Sequence, residues 1–133
     1  MVVSSRRARI LSPSARDALE KLRRICAAIG NCEERTSFGH PTFRVRGMSF
    51  AVIDHYSGTD CLWLRIDPTR RSELLRDPGW FASPYDPQQK ALCCRLDQID
   101  WRRVRPLIRD SFDIAQLAMD GSRDRGPSAR RRQ

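Results

Sequence analysis

The strongest constraint on this chain is the alternation of apolar and polar residues between Thr42 and Ile66, interrupted by one glycine-containing turn and one polar loop. From Thr42 to Arg46, Phe43 and Val45 point to one side of an extended segment, and Thr42, Arg44 and Arg46 point to the other. Gly47-Met48 reads as a two-residue type II′ hairpin turn, with glycine where positive φ is required. Such a turn sets Arg46 opposite Ser49, Val45 opposite Phe50, Arg44 opposite Ala51 and Phe43 opposite Val52, so the four apolar residues share a face. After the SGTD loop (residues 57–60), Leu62, Leu64 and Ile66 alternate with Cys61, Trp63 and Arg65. The result is a three-stranded antiparallel meander with one oily side. Its other side carries Arg44, Arg46 and Arg65 beside an indole, which suits either a solvated face or a binding surface.

The flanking segments supply what the oily side needs. Ser12 caps a helix with Pro13 in its first turn, and Ala15, Ala18, Leu19, Leu22, Ile25, Cys26 and Ile29 form one apolar stripe ending at Gly30. Asp17 with Lys21 and Glu20 with Arg24 are i,i+4 pairs on its outer side. Glu33 to Ser37 reads as a short first strand, and Gly39-His40-Pro41 as a tight connection into the hairpin. Asp67-Pro68 starts a short helix that places Arg70 and Arg71 near free backbone N–H groups, an arrangement that suits an anion. The aromatic loop Gly79 to Gln89 is expected to fold back over the sheet edge or the first helix. Lys90 to Leu96 forms a further strand with Leu92, Cys94 and Leu96 inward, and Arg95 joins the arginine face. Asp100 caps a last helix whose stripe is Trp101, Val104, Ile108, Phe112 and Ala115, with a kink expected at Pro106. The fold class is therefore α+β: an antiparallel sheet covered on one face by the N- and C-terminal helices and largely open on the other.

The blocks SFGHPTFRVRG, LWLRIDPTRR, PYDP, Lys90, RLD and DWRRVRPLIRDSF occur in this order. Together they resemble the MmcQ/YjbR family of small bacterial proteins, over roughly Ala15 to Phe112. The resemblance implies a frataxin-like α+β domain and DNA binding. Two positions depart from the family pattern: Met48 stands where a lysine is common after the hairpin glycine, and Ala91-Leu92 where Gly-Trp is common. A ligand role does not carry over to these positions.

The net charge of +9 calls for an anionic partner, and its distribution qualifies that reading. Residues 1–11 contribute +3 and residues 118–133 another +3, so two thirds of the excess lies outside the body of residues 12–117. The expected organisation is a flexible basic arm (1–11), a single domain (12–117) and a structureless basic tail (118–133). Five cysteines without a CxxC pair or a zinc-type histidine spacing are expected as reduced, buried apolar residues, which suits the cytoplasm. The N-terminal residues lack the apolar h-region of a secretory signal and no apolar run approaches bilayer-spanning length, so neither a signal nor a membrane span is expected, nor is a cofactor or metal.

Three function classes follow. The favoured one is a nucleic-acid-binding module, a monomer or weak dimer, that meets DNA or another polyanion through Arg44, Arg46, Trp63, Arg65, Arg70, Arg71 and Arg95 together with its basic ends. The second is an enzyme or small-molecule site at the turn carrying Ser37 and His40, which lacks a recognisable nucleophile or second acid-base group. The third is a protein-interaction or iron-handling role; iron would need an acidic ridge, whereas the first helix mixes Asp17 and Glu20 with Arg16, Lys21, Arg23 and Arg24.

Overall fold

The computed structural model describes the backbone of residues 10–131 and the side chains of residues 10–118. In chain order its elements are α1 (Pro13–Ile29), β1 (Glu33–Ser37), β2 (His40–Val45), β3 (Met48–Tyr56), β4 (Thr59–Arg65), α2 (Pro68–Leu75), β5 (Trp80–Ala82), β6 (Ala91–Arg95), a 3-10 turn at Leu96–Gln98 and α3 (Trp101–Arg131). The strands form one antiparallel sheet in the order β1-β2-β3-β4-β6-β5. Helices α1 and α3 bury their stripes against one face, where Leu22, Phe50, Leu62, Leu64, Leu92, Val104 and Ile108 make a single core. This is the α+β architecture expected from the sequence.

Both long helices begin as their residues dictate. Ser12 Oγ accepts from Ala15 N at 3.1 Å and donates to Asp60 Oδ2 at 2.6 Å, so the cap also ties α1 to the β3–β4 hairpin. The carboxyl of Asp60 is held from its other side by His55 Nδ1 at 2.7 Å. At the start of α3, Arg102 N donates to Asp100 Oδ1 at 3.1 Å. The stripe of α3 is wider than the sequence reading, because Leu107 and Ser111 are buried with Val104, Ile108, Phe112 and Ala115.

The β2–β3 hairpin departs from the expected register. Arg46 and Gly47, both at positive φ (53° and 80°), are the central turn residues, the signature of a type I′ rather than a type II′ turn. Val45 therefore faces Met48 and Arg44 faces Ser49, but Phe43 faces Ala51 and Thr42 faces Val52, so Phe50 is an extra residue in β3. The bulge turns both Phe50 and Ala51 to the core. It also reverses the alternation beyond them: Ile53 points inward, while Val52 points outward, contrary to expectation. Uninterrupted alternation from Met48 would have buried Asp54 in the apolar core and exposed Ile53, a costly exchange for an ionised carboxylate.

Helix α3 stitches this irregularity shut. Ser111 Oγ donates to Phe50 O at 2.5 Å and accepts from Arg65 N at 2.9 Å, filling the gap that the bulge opens between β3 and β4. One residue further, Phe112 meets Phe50 edge to face, with ring centroids 5.3 Å apart.

Other differences are local. The β1–β2 turn is Phe38-Gly39, with His40 already in the strand opposite Ser37. Within the expected aromatic loop, Trp80 to Ala82 pair with β6 as an edge strand and Trp80 enters the core. Helix α3 runs through Pro106 without a break, the missing donor affecting a single bond in its second turn. The backbone also remains helical past residue 118 to Arg131, since extending a packed helix is cheaper than nucleating one. Residues 1–9 of the expected arm, and residues 132–133, lie outside the described residues.

The buried Ser111 hydroxyl gives a direct test of the stitch. Ser111→Ala strands a buried carbonyl and a buried N–H, and should cost about 3 kcal/mol in urea denaturation with an unchanged m value. A loss within the range of ordinary surface substitutions would contradict the account.

Candidate nucleic-acid interface

The sheet face away from the helices is organised in rows that cross the strands. One row runs from Ser37 through His40, Asp54 and Cys61 to Arg95; the next joins Arg35, Thr42, Val52, Trp63, Cys93 and Phe81; a third holds Glu33, Arg44, Ser49 and Arg65. Arg44, Trp63, Arg65 and Arg95 thus share one face, each half-buried. Their strands are β2, β4 and β6, whose alternation the bulge in β3 does not disturb.

Arg65 and Arg95 are held by groups other than carboxylates, and Arg44 differs from both. Arg65 Nε donates to Ser49 O at 2.7 Å, beside the bulge, and its guanidinium lies 5.8 Å from the centroid of Trp63. Burial pushes the Arg65 pKa below its ordinary value, although a guanidinium remains charged. Arg95 lies 5.1 Å over the Phe81 ring and donates to Thr59 Oγ1 at 3.3 Å. Arg44 Nε is buried and without a hydrogen-bond partner. Some other surface arginines are neutralised directly: Arg23 by Glu34 at 2.8 Å, Arg103 by Asp77 at 3.0 Å and Arg35 by Glu33 at 2.5 Å.

The remaining residues expected at the site are placed elsewhere. Arg46 is in the exposed β2–β3 turn, not on the pleated face, because the turn begins one residue earlier than the sequence suggests. Arg70 lies 3.5 Å from Asp110 of α3, and Arg71 donates to the carbonyls of Gln89 and Ala91 at 3.0 and 2.9 Å. These two side chains fasten α2 to its neighbours. The N-terminal capping role at α2 is taken by Asp67, which accepts from Thr69 N at 3.0 Å, and this bond lowers the Asp67 pKa.

At the Ser37 end of the face the structure assembles a polar network that the sequence did not reveal. His40 Nε2 lies 3.5 Å from Asp54 Oδ1, which also accepts from His55 N at 2.8 Å. Asp54 Oδ2 accepts from Tyr56 Oη at 2.6 Å, and Tyr56 Oη lies 3.3 Å from Ser83 Oγ in the segment after β5. Tyr56 thus reaches across the sheet, with Phe81 edge to face at 6.3 Å and Tyr85 tilted at 5.6 Å. Beneath this aromatic layer Cys61 and Cys93 are fully buried, thiol to thiol, and this mutual bond together with burial raises the Cys61 pKa. Burial likewise pushes Cys94 up to about 12. Such thiols are poor nucleophiles. Among the described residues no group of three or more His, Cys, Asp or Glu comes together that could hold a metal ion, and no helix is long and apolar enough to cross a membrane.

A family model described as YjbR matches residues 27–114, a span that contains the whole sheet and the first half of α3. The chain belongs to the YjbR family. Among solved structures, this YjbR chain is similar to a protein from Pseudomonas syringae known from a crystal structure, at 14% sequence identity with a TM-score of 0.59. The likeness covers 72% of this chain and 97% of that one, and at this identity it speaks for the fold alone. No curated protein matches the chain.

Tyr56 offers a pH test of the aromatic layer. Burial, then the hydrogen bond to Asp54, raises its pKa above the ordinary value. Its contribution to stability is fully present below the unfolded-state pKa of about 10 and is lost as pH rises through the folded value. Thermal midpoints of the wild-type protein should therefore fall above about pH 10, and those of Tyr56→Phe should fall less over the same interval. Parallel curves would contradict this role.

Proposed function

We propose that this YjbR protein binds nucleic acid, DNA in the first instance, through the outer face of its sheet, with phosphates held by Arg44, Arg65 and Arg95 around Trp63. One observation carries the reading. Three half-buried guanidinium groups share this face without a carboxylate at ion-pair distance, whereas Arg23, Arg35, Arg70 and Arg103 each meet one. Partly desolvated cations without a direct ion pair favour an anionic ligand, and guanidinium forks suit phosphate oxygens. The excess charge of residues 1–11 and 118–133 adds attraction that does not depend on base sequence. Arg46, at the tip of the neighbouring hairpin, extends the positive surface. Arg70 and Arg71, committed to α3 and to the approach to β6, contribute only to the general field.

A second reading draws on His40 beside the largely buried Asp54, the pairing an acid-base site would use. Here the carboxylate already accepts from Tyr56 and from His55 N, and the network continues to Ser83 through the Tyr56 hydroxyl. That arrangement braces the end of the face better than it activates a nucleophile. An enzymatic or small-molecule role at Ser37 and His40, and a purely protein-binding role, therefore rank below the nucleic-acid reading.

The test is a titration of labelled DNA with the full chain across a salt series. Affinity should fall steeply with salt, and Arg44→Ala and Arg95→Ala should each weaken binding and reduce the salt slope by about 1. Salt-independent binding, or slopes unchanged in both variants, would overturn the proposal.

A further inference from the structure

We infer that the face takes single-stranded rather than duplex nucleic acid, with bases stacking on its exposed aromatic rings; this rests on the nucleic-acid reading above and narrows its ligand. The arginines alone do not distinguish the two forms, because both present phosphates. The rings do. Tyr85 is 79% exposed although its ring lies only 5.6 Å from Tyr56, so it forms the outermost step of the Tyr56–Phe81–Tyr85 layer. Phe38 is 96% exposed at the tip of the β1–β2 hairpin, at the same end of the sheet as His40 and Tyr56. A base in a duplex has both faces covered by its neighbours, whereas an unpaired base offers a face to a ring.

Phe38 carries a second signal. Its φ is 52°, a left-handed conformation that costs a bulky residue about 1 to 2 kcal/mol, and the exposed ring returns no burial energy within the chain. Asparagine or glycine would make the same turn without that strain. A strained and solvent-facing ring is explained by a ligand that it touches.

The spacing fits a chain crossing the face. Arg65 and Arg95 are separated by four residues of strand, about 13 Å, and Arg44 and Arg65 by two strand spacings, about 10 Å. Trp63 sits between these cations and Phe81 lies against Arg95, so a backbone running from Arg65 to Arg95 passes aromatic surface on the way.

The experiment compares fluorescence anisotropy of the full chain with a labelled oligothymidylate and with a labelled duplex of the same length, at one low salt concentration. The single strand should bind about tenfold more tightly. Tyr85→Ala should lower single-strand affinity by about fivefold or more while leaving duplex affinity unchanged. Phe38→Asn should lower single-strand affinity similarly and raise the thermal midpoint, whereas a merely structural Phe38 would lose stability on replacement. Equal or tighter duplex binding overturns this inference and leaves the broader reading intact. Binding of neither form overturns both. Folded variants with unchanged single-strand affinity overturn the stacking role.

Discussion

The β-bulge at Phe50 is the constraint on which the arrangement of this molecule depends. One extra residue in β3 allows Phe50 and Ala51 to enter the core together, and it sends Ile53 inward and Asp54 outward. The interruption leaves backbone groups that the neighbouring strand does not satisfy, and the protein supplies partners from two directions. Ser111 of α3 takes Phe50 O and Arg65 N, and the Arg65 side chain takes Ser49 O. A helix on one side of the sheet and a cation on the other are therefore locked by the same irregularity. Bulges that re-aim side chains are a recurrent feature near functional sites, and here the re-aimed residues are Val52, Asp54 and Tyr56 on the outer face.

That dependence explains which parts of the structure were legible in the sequence. Strands β2, β4 and β6 each keep strict alternation, so Arg44, Trp63, Arg65 and Arg95 could be assigned to one face without knowing how the strands pair. The hairpin register could not be read in this way. It turns on whether Arg46 accepts positive φ, a choice worth about 1 to 2 kcal/mol, smaller than the cost of sinking Asp54 into an apolar core. The signal was nevertheless present: Phe50-Ala51-Val52-Ile53 is four apolar residues followed by an aspartate, a run that no period of two accommodates with Asp54 on the wet side and both Phe50 and Ile53 on the dry side. Strand β5 was hidden for a different reason. Three residues are too few to display an alternation, and Trp80 looked like part of an aromatic loop.

The site was legible only to the extent that alternation defines it. His40 stood out as a turn histidine, but its neighbour Asp54 came from the part of β3 whose parity the bulge reverses, and Ser83 lies far away in the chain. The anion site suggested at α2 failed on a tertiary detail. Arg70 and Arg71 do lie in the first turn of a capped helix, yet Asp110 and the carbonyls of Gln89 and Ala91 are close enough to engage them. Local sequence shows where a cation begins, whereas the partners that claim it are set by packing.

Charge and surface shape make separate contributions to any polyanion complex of this protein. Most of the net charge resides outside residues 12–117, and such charge acts on phosphates through a field that salt screens within about 10 Å at ordinary ionic strength. A field of this kind raises encounter rates and total affinity for every polyanion alike. Discrimination among polyanions must come from groups that meet something other than phosphate, and on the described surface those groups are the rings of Trp63, Phe81, Tyr85 and Phe38. The β-sheet holds Trp63 and Phe81 in register with Arg65 and Arg95. In such a complex, selectivity would belong to the rigid face, while the charged ends would govern how strongly salt opposes binding.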